Sequence, residues 1–101
     1  MENRPMLNEL LESILGNENV YAQTPESIQM SYPAIKYSLA SLNVRFANNS
    51  PYSTRSRYTV TLIDYDLDSV YVDKIRELPY CSLDRYYPSD GLHHWSFTLY
   101  Y

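Results

Sequence analysis

Residues 34–46 read Ala-Ile-Lys-Tyr-Ser-Leu-Ala-Ser-Leu-Asn-Val-Arg-Phe. Their polarity alternates, with Ile35, Tyr37 and Leu39 on one side and Lys36 and Ser38 on the other, and a period of two belongs to a strand with one face covered. Leu42, Val44 and Phe46 continue the alternation in the opposite phase. A change of face near Ala40 and Ser41 inside one strand pattern is what a β-bulge or tight bend produces, so one long bent strand is expected. Arg57 to Tyr65 is the next strand, rich in Tyr, Thr, Val and Ile, with Tyr58, Val60 and Leu62 against Thr59, Thr61 and Ile63. Between the two strands, Ala47 to Ser56 is polar, turn-rich and aperiodic, which predicts an exposed hairpin loop.

Working outward, Met6, Leu7, Leu10, Leu11, Ile14 and Leu15 form the stripe of a surface helix over Pro5 to Leu15, and Gly16 and Asn17 stop it. Asn19 to Gln23 is a short strand, interrupted by Thr24-Pro25-Glu26-Ser27 because proline lacks a ladder donor. Val72, Ile75 and Leu78 mark a short helix over Val70 to Leu78, capped by Asp68 or Ser69 and closed by Pro79. Tyr80 to Tyr87 and His93 to Tyr101 make two further strands joined through Pro88-Ser89-Asp90-Gly91, with Trp95, Phe97 and Leu99 pointing one way. The expected fold is α+β: a mixed, mostly antiparallel sheet with an N-terminal helix and a second short helix, in the order α-β-β-β-α-β-β. The 101 residues fit one domain over 1–101, and a chain of that size buries only roughly 60 to 70% of its unfolded surface, too little for a deep catalytic cleft.

Tyrosine dominates the composition. Twelve tyrosines with Trp95, Phe46 and Phe97 make the chain 15% aromatic, more rings than so small a core can bury with every hydroxyl satisfied. Some must therefore reach the surface, where a large contact area with a polar tip favours protein partners; equally, tyrosine suits strands for its own sake. The net charge of −4 argues against sequence-independent nucleic-acid binding, which rests on cations meeting phosphates. Arg45, Arg55 and Arg57 are the basic concentration, read first as solvated hairpin ends and second as partners for the acidic surface of a neighbouring subunit. A lone Cys81 gives no disulfide framework and reads as a small buried strand residue. With no basic leader before an apolar run, and no apolar stretch near the ~20 residues that span a bilayer, no export signal or membrane segment is expected.

Chemistry is hard to assemble from these residues. Asp64, Asp66 and Asp68 have the spacing with which a calcium loop begins, but Ser69 and Ile75 stand where such a loop needs glycine and glutamate. The acids read better as a strand end leading into a helix cap. His93 and His94 are adjacent, so in a strand they face opposite ways and cannot together chelate one ion. Ser89 and Asp90 with those histidines have the residue types of a hydrolytic triad, yet there is no nucleophile elbow or oxyanion-hole loop. No glycine loop could cradle a phosphate. No enzyme activity, metal or cofactor is expected.

Several stretches, taken in order, resemble a family of small proteins from siphophage and prophage morphogenesis clusters, described as tail-completion, tail-terminator or minor capsid proteins. They are Val20-Tyr21-Ala22-Gln23 with Pro25-Glu26-Ser27; Tyr32-Pro33-Ala34-Ile35-Lys36-Tyr37; Arg57-Tyr58-Thr59-Val60-Thr61 with Ile63-Asp64; Leu78 to Tyr87; Leu92-His93-His94; and the aromatic ending Phe97 to Tyr101. The resemblance implies an α+β virion subunit of the tail or neck, assembled in the host cytoplasm. It would form a ring, commonly of six copies, at the head-proximal end of the tail tube. Its partners would be other copies of itself, the tail tube protein and the head–tail connector or stopper protein, and DNA would pass through without specific binding. A closed ring uses head-to-tail contacts, so each subunit needs two different complementary surfaces. The loop Asn48 to Ser56 and the aromatic end are the candidates, with Asn48, Pro51, Tyr52, Arg55, Arg57, Tyr100 and Tyr101 as contact residues; Trp95, Phe97 and Leu99 belong to the core, leaving Tyr100 exposed. Competing expectations are a head-completion or stopper protein, a monomeric protein-binding module or antitoxin-like regulator, and a metal-dependent hydrolase in which the three aspartates and a histidine converge.

Overall fold

The computed structural model of the chain describes residues 4–22, 31–44 and 55–101. Helix α1 spans Arg4–Leu15, strand β1 Val20–Ala22, β2 Ala34–Val44, β3 Arg55–Asp64, helix α2 Val70–Arg76, β4 Cys81–Ser89 and β5 Leu92–Tyr100. This is the α-β-β-β-α-β-β order read from the sequence, in the α+β class. The strands form one sheet in the order β1-β2-β3-β5-β4; β1 runs parallel to β2, and every other pair is antiparallel.

One face of the sheet carries the core. Ile35 and Tyr37 of β2, Tyr58, Val60 and Leu62 of β3, and Trp95, Phe97 and Leu99 of β5 meet Leu7, Leu11 and Leu15 of α1 and Ile75 of α2. The α1 residues are four apart, so they line one side of the helix and cover the sheet. Burying apolar side chains of this size contributes roughly 1.5–3 kcal/mol each. A buried hydroxyl in this layer needs a partner: the Tyr37 hydroxyl donates to Asn8 Oδ1 at 2.9 Å and ties β2 to α1. The helix ends at Gly16, whose φ of +78° places it in the left-handed region and whose N–H bonds the Glu12 carbonyl, an arrangement that spares glycine the cost a Cβ would bring.

The phase change in β2 takes the form of register shifts against β3, between Leu39 and Ser41 and again between Ser41 and Val44. Most element ends differ from the sequence reading by one or two residues. β3 begins at Arg55, two residues earlier than expected, because Arg55 pairs with Val44. The second helix ends at Arg76, with Leu78 beyond it. β4 runs on through Pro88 to Ser89; as an edge strand it can hold a proline whose missing N–H would have faced outward. The β4–β5 turn is consequently two residues, Asp90 and Gly91, both at positive φ, the mirror-image turn that matches strand twist. Of the two proposed caps, Ser69 is the one used, its side chain accepting from Tyr71 N–H. The proposed Thr24–Ser27 interruption, Gln23, Arg45, Phe46 and all of the loop before Arg55 lie outside the described residues.

Candidate interaction surfaces

At the α1 N-terminal end of the molecule, Met6 and Leu10 of α1, Leu78, Pro79 and Tyr80 after α2, and Arg55, Leu99, Tyr100 and Tyr101 of the sheet enclose an open groove of about 300 Å³, mostly apolar. Met6 is 61% and Tyr80 55% exposed, unusual for side chains that would gain by burial. Tyr80 also has φ +58°, a conformation that costs a bulky residue roughly 1–2 kcal/mol. The surroundings hold it there: its carbonyl accepts from Tyr100 N–H at 3.0 Å, and the Arg55 guanidinium lies 4.3 Å from its ring centre.

Three of the expected contact residues, Arg55, Tyr100 and Tyr101, converge on this groove. Arg57 is exposed on the neighbouring uncovered face of β3. Asn48, Pro51 and Tyr52 lie outside the described residues. Tyr100 is partly buried and not fully exposed, since it stands at the end of β5 against the groove. Periodicity set Met6 in the stripe of α1, Leu78 in α2 and Tyr80 in β4, with Pro79 as the stop between them, but marked none of the four as a contact residue. Tyr80, read as the first residue of the strand, instead stands just before β4, which begins at Cys81, at positive φ.

The second surface is the sheet face turned away from the helices. Register places Lys36, Thr61, Ser96 and Arg85 in one row across four strands, with Ser38, Thr59 and Thr98 in the next. A shift between Leu83 and Arg85 in β4 puts Asp84 and Arg85 on this face together, as a bulge does; Asp84 accepts from the Thr98 hydroxyl. Arg85 lies 4.7 Å over the Tyr87 ring, and Tyr87 stacks on His94 with centroids 4.8 Å apart. Burial first, and then the nearby Lys36 charge, lower the His94 pKa from its ordinary value. A hollow of about 400 Å³ lies among Lys36, Ser38, Thr59, Thr61, Arg85, Tyr87 and Ser96.

The residues that raised chemical questions are placed as follows. Asp64 Oδ1 accepts from Asp66 N–H and Asp66 Oδ1 from Asp68 N–H, so these carboxylates shape the loop before α2. Among the described residues no three His, Cys, Asp or Glu side chains are grouped so as to hold a metal ion. His93 and His94 diverge across the sheet: His93 Nδ1 is 2.6 Å from the Tyr86 hydroxyl on the helix-side face, while His94 joins the opposite face. Cys81 is half-buried at the edge, and burial, aided by Asp84, pushes its thiol up to about 11. No helix among the described residues is long and apolar enough to cross a membrane.

No family model, curated protein or solved structure matches the chain.

Proposed function

We propose that this chain is a non-enzymatic structural subunit of the head–tail joint of a long-tailed phage, assembling as a ring, commonly six-fold, that caps the tail tube and presents a surface to the head connector. The observation that carries the reading is the groove at Tyr80. An exposed, left-handed tyrosine beside Met6, Leu78 and Tyr101 is an apolar anchor in a pocket rimmed by polar groups, the composition of a protein contact. The resemblance of the tyrosine-rich segments to tail-completion proteins supports the placement, and the α+β order is compatible with it.

Electron microscopy of tails made with and without the chain tests the proposal. Tails of defined length bearing a terminal ring only when the chain is present are the expected result. Normal free tails in its absence, with heads that leak DNA or fail to join, would move the subunit to the head-side stopper. No change in tails, heads or joining would exclude both.

A further inference from the structure

Three surfaces remain once the Tyr80 groove is set aside. The outer edge of β4 is nine residues long, but its bulge at Asp84, its charges and Pro88 are the devices that keep an edge from pairing with a foreign strand, so strand addition there is disfavoured. The other two surfaces complement each other.

The helix-free sheet face departs from the charge of the chain. Among the described residues, Lys36, Arg57 and Arg85 lie on it with Asp84, which the Thr98 hydroxyl already engages, while Asp90 acts on His94 from the β4–β5 turn. Among the described residues neither Lys36 nor Arg85 has a carboxylate within salt-bridge distance; the ion pair found there is Arg76 with Asp73, on α2. The molecule as a whole is acidic, at −4, so its negative charge is concentrated elsewhere. Two of its twelve acids lie in the loop between β3 and α2, where Asp66 and Asp68 alternate with Tyr65, 66% exposed, and Leu67, 57% exposed; Val70, 64% exposed, follows. Large apolar side chains this exposed, set between carboxylates, form a knob for a surface that offers both cations and flat apolar area. The basic face offers both: cations at Lys36 and Arg85, roughly 14 Å apart across three strand spacings, and the Tyr87–His94 stack beside them. The loop is also preshaped by its two aspartate-to-backbone bonds and the Ser69 cap, so docking it costs little ordering entropy.

We propose that the helix-free sheet face is a docking surface for a second copy of this chain, receiving that copy's Tyr65–Val70 loop, with Asp66 and Asp68 set against Lys36 and Arg85 and Leu67 against the Tyr87 ring. The donor and acceptor surfaces differ, so the contact can be repeated head to tail. The inference rests on the ring reading above and names the contact that would build the ring.

Sedimentation equilibrium of the full chain at roughly 50 mM and 500 mM salt tests it, since exposed charge pairs are screened over that range. Self-association of the wild type at low salt, weakened at high salt, is expected. Lys36→Glu with Arg85→Glu, and separately Asp66→Lys with Asp68→Lys, should each weaken association at least ~10-fold, the effect of about 1.4 kcal/mol. Mixing the two reversed variants should restore it as a heterodimer, a gain that misfolding of either cannot mimic. A wild type that stays monomeric at every concentration, reversals without effect, or a mixture that fails to recover would overturn the inference. Wild-type binding to duplex DNA, lost on Lys36→Glu with Arg85→Glu while self-association is unchanged, would assign the face to nucleic acid and overturn it too. The same variants examined on tails separate the two claims: rings still formed by both reversed variants would sink this contact and leave the ring reading standing, whereas no rings with the wild type would sink the ring reading.

Discussion

Tyr80 is strained where it stands, and the strain separates folding from assembly. Tyr80→Gly removes the left-handed penalty, about 1–2 kcal/mol, and loses the Arg55 stacking, about 0.5–1 kcal/mol at an exposed site. Glycine's extra backbone freedom in the unfolded chain, about 0.5–1 kcal/mol, offsets the remainder, so the variant should unfold at a denaturant midpoint close to that of the wild type, yet cap tails poorly; a variant that capped as well as wild type would remove Tyr80 from the contact. Cys81 gives a chemical reading of the same edge. With its thiol pushed up to about 11 from 9.0, its thiolate fraction at pH 8 falls roughly 100-fold, so alkylation should be slower by about that factor in the native chain than in the denatured one, by mass spectrometry. His94 gives a pH signature. Its folded pKa is depressed, so the unfolded chain binds its proton first on acidification. The stability held by neutral His94 is complete above the ordinary imidazole value near 6.5 and is lost as pH falls through the lowered one. Thermal midpoints should drop below pH 6.5, and His94→Gln should flatten that part of the profile; an unchanged slope would show that other groups set it.

At the scale of elements, α1 holds the sheet's helix-side face by few residues. Leu11 is fully buried between the helix and the strands, so Leu11→Ala should cost about 2–5 kcal/mol, measured by urea denaturation; a cost below about 1 kcal/mol would mean that the helix contributes little to the core. The elements were legible in the sequence because their periods are clean. Ile35, Tyr37, Tyr58, Val60, Phe97 and Leu99 announce the covered face by alternation alone, and the phase change at Ala40 announces the register shifts in β2. Strand ends were less legible: Pro88 reads as a breaker unless β4 is known to be an edge, and sequence does not say which strand is outermost. The groove was half legible. Arg55, Tyr100 and Tyr101 could be chosen as surplus cations and rings, but Met6 and Leu10 approach Tyr80 only through the packing of α1 over the sheet. The basic face was illegible for a similar reason, since Lys36, Arg57 and Arg85 are up to 49 positions apart and are neighbours only through the β2-β3-β5-β4 order.

The whole molecule has an apolar groove at one end of the sheet, an acidic and apolar loop at the other end of β3, and a basic sheet face beside that loop. This polarity suits repeated head-to-tail contacts better than it suits a closed pair of like surfaces. Small size limits the core, and a subunit whose partners bury Tyr80, Leu67 and Val70 gains from assembly the burial that folding alone leaves unused. We propose that such assembly caps and joins a phage tail. The most direct measurement adds purified chain to a lysate of particles that lack it and counts joined particles by electron microscopy. Dose-dependent recovery of joined, tail-capped particles is expected with wild-type chain and weak recovery with Tyr80→Gly; heads and tails left unjoined and uncapped at every dose of folded wild-type chain would overturn the proposal.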